Sequence, residues 1–113
     1  MKRLCLIVIA VLVLGLTAHA VDLNVKCGQK GLPNTINGAL KLLNPEGPNT
    51  LTVSGTCNEN VLIYGFNRLK LRTTTGATIN DASGGTGFVV DIDDSTDVVL
   101  NGFTINGRMP VNS

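Results

Sequence analysis

The residues best equipped for chemistry lie in Asp91-Ile92-Asp93-Asp94-Ser95-Thr96-Asp97, four carboxylates within seven positions. On an extended strand, Asp91 and Asp93 fall on one face, opposite Phe88, Val90 and Ile92, where they could share a calcium ion or a proton. Arg68, Lys70, Arg72 and Arg108 are the basic residues able to abstract a proton or bind an acidic sugar. A solvated acidic turn between strands is the competing reading. An EF-hand is excluded, because counting from Asp91 the sixth position is Thr96 rather than glycine and the twelfth is Gly102 rather than glutamate. Gly84-Gly85-Thr86-Gly87 has neither the lysine nor the following helix of a phosphate-binding loop, and reads as a loop.

The amino end limits the chemistry further. Lys2 and Arg3 precede an apolar run from Leu4 to Leu16, and Ala18-His19-Ala20 offers the small residues of a cleavage site. A signal peptide over residues 1–20 is therefore expected, with export to a secreted or periplasmic location; the run is shorter than the about 20 residues of a membrane span. The chain carries nine basic and eight acidic residues. Losing Lys2 and Arg3 leaves seven against eight, a net charge near −1, so charge alone supports neither nucleic-acid nor membrane binding. His19, the only histidine, goes with the leader, and nucleophilic schemes that need an imidazole base go with it. Three cysteines become two, Cys27 and Cys57. An even remainder in an exported small domain predicts a disulfide, and two thiols without histidine fall short of a zinc site.

Those candidates must be positioned by strands. From Leu69 to Gly107 the sequence reads as short apolar alternations separated by Gly, Asn, Asp and Thr, a period of two rather than 3.6. Leu69-Lys70-Leu71 followed by Ala77-Thr78-Ile79-Asn80 is echoed by Val98-Val99-Leu100 followed by Phe103-Thr104-Ile105-Asn106, with a fainter copy in Leu51-Thr52-Val53 and Val61-Leu62-Ile63. Alternation assigns three inward files: Leu51, Leu69 and Val98; Val53, Leu71 and Leu100; Ile63, Ile79 and Ile105. A third strand, Phe88 to Ile92, fits only the longer turn. Upstream, Val21 to Val25 reads as a first strand. Ile36, Ala39, Leu40 and Leu43 form the stripe of one amphipathic helix, capped by Asn34 or Thr35 and ended by Asn44-Pro45. The expected organisation is a leader at 1–20, strand and capping helix at 21–48, parallel coils at 49–107 and a tail at 108–113.

The order of leader, helix Thr35-Ile36-x-x-Ala39-Leu40, Asn49-Thr50-Leu51-Thr52-Val53, Gly76-Ala77-Thr78-Ile79 and Asp97-Val98-Val99-Leu100-x-Gly102-Phe103-Thr104-Ile105 resembles the opening coils of secreted bacterial right-handed parallel β-helix proteins of the pectin-lyase-like type. The resemblance implies an all-β right-handed parallel β-helix of about three coils under a capping helix. It covers nearly all of the chain after the leader. Members include polysaccharide lyases and hydrolases, adhesins and tailspikes, so the fold alone does not select an activity. The lyases use acidic calcium ligands and a basic residue, for which Asp91 and Asp93 are the nearest candidates; the hydrolases' Gly-His-Gly is absent.

Asn80 and Asn106 hold matching places after the second strand, as an asparagine ladder or simple turn preference would require, with Tyr64 at the corresponding place one coil earlier. Tyr64, Phe66, Phe88 and Phe103 are too few for a sugar-stacking platform. The last coil is expected to present its edge and apolar interior, as in a truncated solenoid or one completed by another chain. Three functions follow as expectations: a mainly structural amino-terminal part of a polysaccharide-binding or polysaccharide-processing β-helix, a small calcium-dependent polysaccharide lyase, or a surface or adhesive module that self-associates edge to edge.

Overall fold

The computed structural model describes residues 20–110 as an all-β parallel solenoid of about three turns with one short helix. The expected leader lies, apart from Ala20, outside the described residues, as do the last three residues of the tail. Alternating inward apolar residues build each strand, and every strand pairing is parallel. The first sheet runs β1 (Val21–Cys27), β2 (Asn49–Asn58), β4 (Asn67–Arg72), β7 (Thr96–Asn101). A second joins Thr56–Asn58 at the end of β2 to β5 (Thr78–Asn80) and β8 (Thr104–Asn106). A third pairs β3 (Val61–Tyr64) with β6 (Val90–Asp93).

Register decides which side chains stack. Leu23, Leu51, Leu71 and Leu100 form one column, and Val21, Asn49, Leu69 and Val98 the next. The expected neighbours Leu69 with Val98 and Leu71 with Leu100 are therefore present. The earlier coil stands two residues away from its expected register, so Leu51 meets Leu71 and Val53 meets Val25. Two residues preserve the inward face, which is why alternation alone does not detect the shift. Ile79 stacks between Cys57 and Ile105, whereas Ile63 belongs to the third sheet beside Ile92. That sheet's second strand begins at Val90; Phe88 instead bridges to Arg108.

The corners repeat as the strands do. Tyr64 pairs with Asp93, so Gly65 (φ 76°) and Asp94 (φ 51°) turn the same corner in successive coils. Arg68 (φ 57°) and Asp97 (φ 54°) do so at the next. Short polar aspartate tolerates this left-handed conformation better than most residues do. Ser95 completes the corner, accepting from the Phe66 amide at 3.0 Å and donating to the Asp93 carbonyl at 2.9 Å. At Gly55 (φ 85°) a Cβ would stand 2.5 Å from the Cys27 carbonyl oxygen of the preceding coil, so the approach of the two backbones requires glycine.

The helix α1 (Ile36–Leu40) is shorter than its apolar stripe. Ile36, Ala39 and Leu40 are buried against β1, β2 and β3, and Leu43 is buried in the turn beyond. Thr35 is the N-cap, accepting from the Gly38 amide at 3.0 Å. Glu59, from the loop after β2, accepts from the Ile36 and Asn37 amides at 2.7 and 3.0 Å. A carboxylate from another coil thus satisfies amides that five residues of helix leave free, and it does so at the positive end of the helix dipole. Asn37 ties the same turn down, donating to the Asn60 carbonyl and accepting from the Leu62 amide. Cys27 and Cys57 form a disulfide, linking the end of β1 to the end of β2 across 30 residues of sequence.

Burial divides the columns into enclosed and open members. Leu69 and Leu71 are at most 1% exposed, while Val98 and Leu100, one coil further, are only partly buried. Leu71→Ala should therefore cost about 3 kcal/mol in urea denaturation and Leu100→Ala less than about half of that. Replacing both disulfide cysteines by serine should cost about 3–4 kcal/mol for a loop of this length, read the same way.

Candidate ligand-binding face

Side chains that point out of the first sheet line up in rows across the coils. One row is Asp22, Thr50, Lys70, Val99; the next is Asn24, Thr52, Arg72, Asn101. Strand alternation makes this unavoidable, since the residues between the inward Leu69 and Leu71 and beyond Leu71 must face solvent. Lys70 and Arg72 are exposed, and their neighbours in the rows are Thr50, Val99, Thr52 and Asn101, none of them acidic. At one margin of this face Arg68, Lys70, Thr50 and Asp97 line a cleft of about 310 Å³. Arg68 is held there by its guanidinium, which donates to the carbonyls of Glu46 at 2.9 Å and Gly47 at 3.2 Å. A second cleft of about 240 Å³, lined by Asn24, Lys26 and Lys30, opens at the far end of β1. The first sheet thus presents Lys26, Arg68, Lys70 and Arg72 to solvent, together with Asp22 and Asp97.

The candidate pair Asp91 and Asp93 lies elsewhere. Asp91 and Asp93 are in β6 of the third sheet, beside the exposed Leu62 and Tyr64 of β3. Lys70 and Arg72 belong to the first sheet, so the fold does not bring these cations and the aspartate pair onto one sheet. Asp94 and Asp97, the other two acids of the run, are corner residues. Arg108 is also separate: it lies over the Phe88 ring at 5.2 Å and donates to the Gly85 carbonyl at 3.3 Å. Among the described residues, Cys27, Cys57 and Glu59 bring three potential metal-ligand atoms within 4.8 Å of one another. Both sulfurs are committed to the disulfide and the Glu59 carboxylate to the helix amides.

The asparagine ladder is present, with side chains bonding to side chains. Asn80 donates to the Asn58 side-chain oxygen at 3.0 Å, and Asn106 donates to that of Asn80 at 2.9 Å. Its first member is Asn58 rather than Tyr64, because β2 continues around its corner into the second sheet and β3 begins the third. Asn80 in the middle donates to one coil and accepts from the next, which holds the register on the polar side of the sheet.

Asp81, outside the acidic run singled out above, organises the loop leading to β6. Its carboxylate accepts from the Ser83 hydroxyl at 2.6 Å, the Asn60 amide at 2.6 Å, and the backbone amides of Ser83 at 3.0 Å and Gly85 at 2.7 Å. Asn60 also donates to the Phe88 carbonyl, closing the loop's other end. An Asx-type signal in Asp81-Ala82-Ser83-Gly84 could have identified this turn. The Ser83 hydroxyl first, and then the Asn60 amide and the two backbone amides, hold the Asp81 carboxyl well below the usual carboxylate range. A depressed native pKa stabilises the fold above the unfolded value of about 4, and this contribution is lost as pH falls toward the native one. Thermal unfolding should therefore show a steeper loss of stability below about pH 4 in the native chain than in Asp81→Asn.

No protein-family model, curated protein or solved structure matches this chain.

Proposed function

We propose that this chain is a polysaccharide-binding β-solenoid module, a mainly structural set of coils whose first sheet takes a carboxylated glycan along its outer face. The observation that carries this reading is the cleft where Arg68 and Lys70 outnumber the one carboxylate, Asp97, with Arg72 in the adjoining row and Lys26 and Lys30 lining a second cleft. Successive coils stand about 4.8 Å apart, so a linear polyanion crossing the strands meets a new outward side chain at every coil. Guanidinium and ammonium groups hydrogen-bond carboxylates directly, while Thr50 and Asn101 suit sugar hydroxyls. Binding rather than cleavage is the function assigned, since the cations and the aspartate pair occupy different sheets.

The likeness of the sequence to right-handed pectin-lyase-like coils supports the same substrate class. Export is part of the proposal. It is supported by the leader-like amino end and by the Cys27–Cys57 disulfide, which persists in oxidising compartments. Among the described residues no helix is long and apolar enough to cross a membrane.

Affinity electrophoresis of the full chain in gels containing a polyuronate, with a neutral glucan as control, tests the reading. Retardation by the polyuronate alone, weakening as salt rises, is expected. Lys70→Ala with Arg72→Ala should weaken binding about tenfold, each exposed charge contributing on the order of 0.5–1 kcal/mol. Equal retardation by both polymers, or none by either, would overturn the assignment.

A further inference from the structure

Parallel pairing of β1 with β2 brings together three side chains that lie far apart along the chain. Cys27, Cys57 and Glu59 offer two sulfurs and a carboxylate oxygen within 4.8 Å of one another. The cysteines are buried and Glu59 is half-buried. A cleft of about 230 Å³, lined by all three together with Asn34, Thr35 and Asn58, opens onto them. In the oxidised chain the sulfurs are bonded to each other. A dithiol reductant returns them to two thiols while closing its own disulfide. The two Cα atoms stand 5.0 Å apart, so rotation of the side chains suffices to turn both sulfurs toward one ion.

We propose that the reduced chain binds a zinc ion through Cys27, Cys57 and Glu59, with water from the cleft as fourth ligand, and that oxidation to the disulfide closes the site. Two thiols fall short of a zinc site by themselves, and the fold supplies the third donor. Two thiolates and a carboxylate suit a thiophilic divalent ion in tetrahedral geometry with one position left to solvent. Glu59 is able to ligate although it caps α1. A carboxylate has about four lone-pair positions, and the Ile36 and Asn37 amides take one on each oxygen. Those amides then orient the ligand as outer partners do in other metal sites. Binding displaces the two thiol protons to solvent. Either state ties β1 to β2 at the same point, by the ion before oxidation and by the covalent bond after it. The site shares no side chain with the two clefts of the proposed glycan face, so it stands or falls separately from that reading.

Competition between the full chain and a chromophoric chelator, under anaerobic conditions with a phosphine reductant, measures zinc uptake directly. The reduced chain should take up one ion with release of two protons, and the oxidised chain none. With cobalt(II) as a spectroscopic probe, thiolate-to-metal charge-transfer bands should appear in the reduced chain alone. Glu59→Gln keeps an acceptor for the helix amides but loses the anionic ligand, and its zinc affinity should fall more than about tenfold. Glu46→Gln, which alters an exposed carboxylate outside the cluster, should bind as the native chain does. Zinc should also raise the unfolding temperature of the reduced native chain. A reduced native chain that takes up no zinc, equal uptake by the oxidised chain, or an affinity that Glu59→Gln leaves unchanged would each overturn the proposal.

Discussion

Leu23, Leu51, Leu71 and Leu100 stand in one column because parallel hydrogen bonding between coils leaves each inward side chain above its counterpart. That in-register stacking is the constraint on which the other features rest. It encloses the middle of each column, carries the left-handed corners from coil to coil, and joins Asn58, Asn80 and Asn106 through their side chains. A helical core gains packing from ridges and grooves, whereas here each coil gains it from the one before.

The same constraint creates the outer face. Once Leu69 and Leu71 are committed inward, Lys70 and Arg72 have only solvent to face, and the coils on either side set their neighbours. The exposed cations of β4 look out from the first sheet, with Asp22 at the end of one row and Asp97 at its margin, while Asp91 and Asp93 belong to the third. A net charge near zero therefore conceals a surface able to discriminate by charge, since exposed groups interact over about a Debye length rather than across the whole molecule.

Polar side chains hold together what the short elements cannot hold themselves. Five residues of helix leave most of their amides without internal partners, and Thr35 and Glu59 supply acceptors from before the helix and from another coil. The Cys27–Cys57 bridge, two residues before Glu59, ties the first two coils together beside that cap. Asn60 and Asp81 do the same for the loop that feeds the third sheet.

Alternation and repetition in the sequence were sufficient for parallel coils, for the pairing of Leu71 with Leu100, for the disulfide and for the place of the short helix, because each rests on periodicity or on a count of residues. The two-residue displacement of the first coil was not legible, since slipping by two keeps every apolar residue inward. Nor were the corner roles of Asp94 and Asp97, for a carboxylate in a turn and a carboxylate in a metal site have the same composition. Which cations share a sheet, what Asp81 holds and where Val99 points were decided only in three dimensions. Each depends on which coil lies beside which, and that is set by backbone pairing between residues about 20 to 30 positions apart.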